Sequence, residues 1–219
     1  GNTSIDACVF DGREIKHLGK FKHSEVESLR GDYHKVYISS VKPSLEEVLR
    51  EVFKEPHFIT WEEVPIRASF DIKNTGIDRL LNVYGAVSFY GENVLVVSCG
   101  TALVLDLVLR GIYEGGFISL GLSGKLRCLT ERAELIPPLE LERVSVLIGK
   151  DTKEAILGGI LKEAKSFVRA ILTEFNIPTV VITGGDGYLL EDVGLYDPLL
   201  IHKAMLRLFS KDKTSPHFL

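Results

Sequence analysis

Two Gly/Thr pairs stand at chemically suggestive places: Gly1-Asn2-Thr3 at the start of the sequence and Gly100-Thr101 near its middle. Glycine has no Cβ to block close approach, so a turn built on such a pair can aim backbone N–H groups and a hydroxyl at a phosphate. A single Gly-Thr between strands reads equally well as an ordinary hairpin turn. Its recurrence before two strand-like runs argues for a duplicated fold with a phosphate cradle in each half. A further glycine turn, Gly184-Gly185-Asp186-Gly187, follows the apolar run Pro178 to Thr183, at the carboxyl end of a strand, where open α/β sheets place ligands. Asp78 and Arg79 close the stretch Gly76-Ile77-Asp78-Arg79 at the start of a helical pattern. The helix dipole favours an acid there, so one reading is a stabilised terminus. Arginine gains nothing from that dipole. The pair therefore also reads as a carboxylate base beside a guanidinium fork for an anionic substrate.

The elements that must hold these residues follow from local pattern. Ser4 to Phe10 and Arg13 to Phe21 read as a hairpin turning at Asp11-Gly12. Lys35 to Val41 reads as a strand, and Ser44 with Glu47 three residues on reads as a capping box opening a helix over Leu45 to Phe53. Pro56 to Thr60 is a short strand and Trp61 to Ser69 a loop. The helix carrying Asp78 and Arg79 in its first turn continues to Tyr90. Asn93 to Gly121 is the centre of the chain, with apolar runs broken at Gly100-Thr101 and Gly115-Gly116 and one acid, Asp106, inside them. Helices are expected over Leu122 to Ala133 and Lys153 to Phe175, the second capped by Asp151 or Thr152. Gly158 and Gly159 inside it, costing about 1 kcal/mol each relative to alanine, mark a close contact with another backbone or a ligand. A last helix over Asp197 to Phe209 carries His202 at its surface, and Lys211 to Leu219 reads as a frayed tail.

Composition narrows the class. The 219 residues are 45% hydrophobic and 26% charged, with net charge −4, which describes a globular α/β chain and argues against a face dedicated to nucleic acid or acidic lipid. Cys8, Cys99 and Cys128 stand at no metal-like spacing, so a disulfide framework or zinc site is not expected and a reducing cytoplasm is. The apolar segment from Ala86 to Leu109 is interrupted by Glu92, Asn93 and Asp106, and strands explain it better than a membrane span. No 20- to 50-residue period repeats.

Taken together, Gly1-Asn2-Thr3, Ser40-Val41-x-Pro43, Gly76-x-Asp78-Arg79, Gly100-Thr101-Ala102 with Asp106, Gly115-Gly116-x-Ile118, Gly149-x-x-Thr152 and Gly184-Gly185-Asp186 resemble, in order and approximate spacing, the motifs of type III pantothenate kinase. The resemblance runs nearly end to end. It implies an α/β fold of two ribonuclease-H-like domains, as in sugar kinases, heat-shock ATPases and actin, which clamp a nucleotide between them. The expected division is 1–91 and 92–219, with the first strand of the first domain missing ahead of Gly1 and the last helix packing back on the first domain. The implied activity is the transfer of a phosphoryl group from ATP to pantothenate, the first step of coenzyme A biosynthesis, in a cytoplasmic homodimer that uses Mg²⁺ and a monovalent cation, K⁺ or ammonium. By the same resemblance Asp78 is the general base and Arg79 orients the substrate. Gly1, Asn2, Thr3, Gly100 and Thr101 form the phosphate loops, and Gly184 and Gly185 the nucleotide side. Phe70, Gly76, Ile77 and Thr152 line the acceptor pocket.

The chain departs from the family pattern at several places. An Asp expected two residues before Gly1 is not in the sequence. Ser98 stands where the family has an Asp that holds the cation, Phe70 where a tyrosine is usual, and Leu120 where a proline is usual. A serine hydroxyl is a weak, neutral cation ligand, so Ser98 implies a reduced cation requirement or an inactive member. Two other readings stay open here: a non-catalytic regulator of the accessory transcription factor kind, and a kinase of another small alcohol.

Overall fold

The structure, a computed structural model, describes residues 3–210; the expectations for Gly1, Asn2 and the tail after Ser210 lie outside them. The chain divides into two compact units, one of residues 1–89 with 199–219 and the other of residues 90–198.

In the first unit, β1 (Ile5–Phe10) and β2 (Ile15–Phe21) form an antiparallel hairpin. Its turn works as the Asp-Gly pattern predicts: Gly12 takes φ +93°, and the Asp11 carboxylate accepts the N–H groups of Arg13 and Glu14 at 2.9 and 3.0 Å. The expected strand over Lys35 to Val41 contracts to β3 (Tyr37–Ile38), parallel to β4 (His57–Phe58). Helix α1 spans Glu46–Val52. Ser44 does not cap it. Pro43 to Leu45 instead wind a single 3-10 turn, and Leu45 precedes the helix with no side-chain cap. A capping box forms further on, where the Thr60 and Glu63 side chains each take the other's backbone N–H around the turn Trp61–Glu63. The two-residue strand β5 (Arg67–Ala68) leads to α2 (Ile77–Tyr90). Val26, Leu49 and Val52 form a small core with Ile5, Ile38 and Phe58.

The second unit is a mixed sheet. Strands β6 (Val94–Cys99), β7 (Ala102–Leu109) and β8 (Ile112–Leu120) run as an antiparallel meander, and β9 (Thr179–Thr183) and β10 (Leu195–Tyr196) add in parallel on the other side of β6. The order β8-β7-β6-β9-β10, with only β7 reversed, is the arrangement of a ribonuclease-H-like sheet. Helices α3 (Leu122–Arg132) and α4 (Thr152–Phe175) cover one face, burying Leu95, Val97, Cys99, Leu103 and Leu105 against Leu122, Leu157, Leu161 and Val168. Side chains alternate across a strand, so Val94, Val96 and Ser98 point to the other face. Val94 to Val97 are fully buried, which explains a run that is apolar without alternation. Asp106 is also fully buried, and its carboxylate accepts the Tyr113 hydroxyl at 2.6 Å. Among the described residues no helix is long and apolar enough to cross a membrane.

The last helix, α5 (Leu200–Phe209), belongs to the first unit. It packs on α2 at Gly85, where a Cβ would sit 3.0 Å from that of Ala204 and 3.1 Å from Leu200 Cδ1. Its expected first residue, Asp197, stays in the second unit, where it is buried and accepts the Tyr90 hydroxyl at 2.7 Å. His202 is half-buried: Nε2 lies 3.4 Å from the Asp6 carbonyl, and the buried Nδ1 has no hydrogen-bond partner. Burial pushes the imidazole below its usual value of 6.5, against the pull of Asp6 and with a small push from His17. A group depressed in this way adds stability that is present above its ordinary pKa and is lost as pH falls. We therefore expect thermal stability to decline below pH 6.5, and His202→Gln to flatten that decline in melting curves taken between about pH 5 and about pH 7.5.

Candidate active site

The second unit gathers glycine turns at the carboxyl ends of β6 and β9. Gly100 and Thr101 form the exposed turn between β6 and β7, closed by Gly100 N–H donating to the Ala102 carbonyl at 3.0 Å. A Cβ on Gly100 would meet nothing within 4 Å, so its backbone is open to a ligand. Gly121, which precedes α3, donates to the Thr101 carbonyl at 3.0 Å and lies so close that a side chain there would collide with the Gly100 carbonyl oxygen. Gly184 takes φ +90°, and any Cβ there would collide with the Cys99 carbonyl. Asp186 N–H donates to that same carbonyl at 3.2 Å. The Asp186 carboxylate accepts the Ser123 hydroxyl at 2.7 Å and the Ser123 N–H at 3.4 Å, in the first turn of α3. Backbone therefore lies on backbone at two points, leaving a shallow cradle of Gly100, Thr101, the start of α3 and the Gly184-Gly185 turn. Such a cradle suits the phosphates of a nucleotide.

Cys99 beneath it does no acid–base work at neutral pH: burial, and then the charge of Asp186, push its thiol up to about 12. Ser98 is half-buried, paired in register with Val104 and Thr183. Asp106, two residues along β7 from Val104, shares that face but is committed to Tyr113. No group of three or more His, Cys, Asp or Glu side chains among the described residues could hold a metal. A divalent ion that keeps its waters and binds chiefly through nucleotide phosphates fits such a site; a monovalent cation that depends on a carboxylate at position 98 does not.

The first unit contributes the start of α2. Arg79 and Leu80 N–H groups donate to the Gly76 carbonyl at 3.0 and 3.2 Å, opening the helix. Asp78 folds back so that Oδ1 accepts the Arg79 N–H at 2.9 Å. That carboxylate occupies the space beside Gly76, where a Cβ would come within 2.7 Å of it. Phe70 is exposed, ahead of a turn in which Asp71 accepts the Lys73 N–H at 3.0 Å. Thr152 opens α4 in the second unit. Asp151 caps that helix by accepting the Glu154 N–H at 2.8 Å, and the Glu154 carboxylate returns to the Lys150 N–H at 2.8 Å. Gly149 lies against the Ala155 backbone, where no side chain fits, so the exposed Thr152 stands on a fixed helix start.

Of the residues expected from sequence, Ser98, Gly100, Thr101, Gly184 and Gly185 are brought together in the second unit. Gly76, Ile77, Asp78 and Arg79 are together in the first, and Thr3 is exposed near the start of its hairpin. The sequence reading missed Gly121 and Ser123. Gly121 carried a legible signal, a glycine at the boundary between strand and helix; Ser123 carried none.

Comparison with known proteins agrees over most of the chain. Residues 1–174 match the sequence profile of the family Type III pantothenate kinase. A protein named Type III pantothenate kinase from Aquifex aeolicus is 39% identical over 214 residues, covering 95% of this chain and 93% of its own. One of the same name from Cytophaga hutchinsonii is 27% identical over 213 residues, covering 92% and 90%. A solved structure of a Baf family protein from Campylobacter jejuni superposes with a TM-score of 0.64 at 20% identity, over 93% of this chain and 96% of that one; at that identity the likeness shows the fold. If the cradle depends on backbone approach, Gly184→Ala lowers unfolding free energy by about 3 kcal/mol or more, whereas Gly100→Ala changes it by less than about 1 kcal/mol. Denaturant titration of the two variants against the parent tests the contrast.

Proposed function

As the chain belongs to the type III pantothenate kinase family, we infer that it transfers the γ-phosphoryl group of ATP to the hydroxyl of pantothenate, giving 4′-phosphopantothenate for coenzyme A biosynthesis. The observation that carries the residue assignment is the start of α2, where a half-buried carboxylate is held in place by the next residue's N–H and by the absence of a side chain on Gly76.

In this reading Asp78 accepts the proton of the pantothenate hydroxyl as that oxygen attacks phosphorus. Its Oδ1 is occupied by the Arg79 N–H, leaving Oδ2 for the substrate. Arg79 pairs with the pantothenate carboxylate, a planar anion that suits a guanidinium fork. Gly76, Ile77 and Phe70 are the acceptor-binding residues of the first unit, and Thr152 is the one assigned in the second. Gly100, Thr101, Gly184 and Gly185 hold the nucleotide, and Gly1 to Thr3 provide the first phosphate loop. Phosphoryl transfer asks mainly for alignment and charge neutralisation. A divalent ion such as Mg²⁺ bound with the nucleotide would supply charge neutralisation, while Gly100, Thr101, Gly184 and Gly185 would align the nucleotide. The three thiols are unbridged, which suits a reducing cytoplasm. On α4, Gly159 is exposed with open space at its Cβ position, and Gly158 approaches only the Val146 side chain. We read that stretch of helix as the contact of a homodimer.

Two measurements bear on the assignment. Asp78→Asn lowers kcat for ATP- and pantothenate-dependent ADP release by about 100-fold or more with an unchanged melting temperature. Gly76→Ala, which forces the carboxylate to move, costs about tenfold to 100-fold with little change in stability. Full activity in either variant removes the base from Asp78. The neutral Ser98 predicts that turnover differs by less than about twofold between K⁺-containing and K⁺-free buffer, and that Ser98→Asp introduces a K⁺ dependence.

A further inference from the structure

The contact between Asp186 and Ser123 joins two segments 63 residues apart in sequence, and neither end of it is explained by the fold alone. Ser123 is exposed on the first turn of α3, and Asp186 is half-buried in the turn after β9. Hydrophobic burial does not require either residue to be where it is. What they join is functionally specific. Through its own N–H, Asp186 is tied to the Cys99 carbonyl, the last residue of β6 before the Gly100-Thr101 turn. Its carboxylate is tied to α3, whose preceding residue, Gly121, holds the Thr101 carbonyl from the other side. The next turn of chain is anchored on Asp186 as well, since Leu189 N–H donates to its carbonyl at 3.1 Å. One residue thus connects the three backbone segments that line the cradle: the Gly100-Thr101 turn, the start of α3 and the Gly184-Gly185 turn.

We propose that Asp186, acting through Ser123, is a positioning residue that sets the spacing between the phosphate turn Gly100-Thr101 and the nucleotide turn Gly184-Gly185, and so governs nucleotide affinity rather than acceptor recognition. The physical reason lies in what else holds these segments. Besides the steric fit of Gly121 and Gly184 to neighbouring backbone, Gly121 N–H donates to the Thr101 carbonyl, Asp186 N–H to the Cys99 carbonyl and the Tyr196 hydroxyl to the Gly184 carbonyl; none of these ties α3 to the Gly184-Gly185 turn. The charged hydrogen bond at 2.7 Å adds direction. An anionic acceptor at the first turn of a helix is also favoured by the dipole, which keeps the carboxylate facing α3. Removing it lets the Gly184-Gly185 turn drift relative to the phosphate turn, and a ligand that touches both loses alignment.

This inference rests on the kinase reading only in naming the nucleotide. The test is calorimetric titration of ADP and of a non-hydrolysable ATP analogue into the full chain, for the parent, Asp186→Ala, Asp186→Asn, Ser123→Ala and the double variant Ser123→Ala/Asp186→Ala. Steady-state kinetics and melting temperatures are measured alongside. We expect Asp186→Ala and Ser123→Ala each to weaken nucleotide binding about tenfold and to raise KM for ATP equally, with KM for pantothenate unchanged. The double variant is no worse than the singles, because both remove one contact, and Asp186→Asn, which keeps an acceptor oxygen, recovers most of the affinity. Lower melting temperatures with unchanged nucleotide affinity overturn the proposal in favour of a purely structural contact. Loss in Asp186→Ala without loss in Ser123→Ala also overturns it, since Asp186 then acts on the ligand directly. A parent that binds nucleotide but does not turn over pantothenate defeats the kinase reading and leaves the affinity comparison to decide this one. A parent that binds no nucleotide defeats both.

Discussion

Everything in the second unit's cradle depends on the carbonyl of Cys99 being approached by backbone alone. Gly184 lies against it in a left-handed conformation, and Asp186 donates to it from the next turn. The same geometry recurs where Gly121 meets the Gly100-Thr101 turn. A side chain at either glycine would drive the segments apart. Close backbone packing brings the Gly100-Thr101 turn, the start of α3 and the Gly184-Gly185 turn to one place.

The carboxylate at the start of α2 is held by the complementary device. A missing Cβ at Gly76 provides the space, and the N–H of Arg79 fixes the rotamer. Backbone glycine thus serves two purposes in one protein. In the second unit it lets main chain approach main chain, and in the first it lets a functional side chain fold over its own helix. Ser98 occupies a central strand position in the second unit. It sits in register between Val104 and Thr183, neutral on both sides, with Asp106 on the same face already bonded to Tyr113.

The second unit was the more legible part of the fold. Strands β6, β7 and β9 are largely buried on both faces, so their apolar runs coincide with elements, and Gly100-Thr101 is a turn as expected; Gly115-Gly116, read as a break, instead lies inside β8, whose outer positions are exposed. The first unit was harder. Its strands β3, β4 and β5 are two residues long, too short for any period to register. The capping signal at Ser44 and Glu47 is genuine chemistry, but Pro43 sits at the start of a 3-10 turn and the backbone follows the proline. His202 carries a polar type onto a packed helix face, and its position over the hairpin residue Asp6 leaves it half-buried. Gly159 shows the reverse: a glycine in mid-helix promised a close contact, and within this chain the space is open.

The residue types alone determined the order of motifs, the class of chemistry and the family, because phosphate cradles and a carboxylate at a helix start are short-range patterns written in adjacent residues. Only the tertiary structure decided which of them share a surface and what holds them there. Ser123 and Asp186 meet at 2.7 Å across 63 residues of sequence, and the buried Asp106 carboxylate accepts a tyrosine hydroxyl from the next strand. Such pairings follow from strand register and from the angle at which a helix leaves a sheet, and those are fixed by the packing of the whole core and not by any neighbour in the chain.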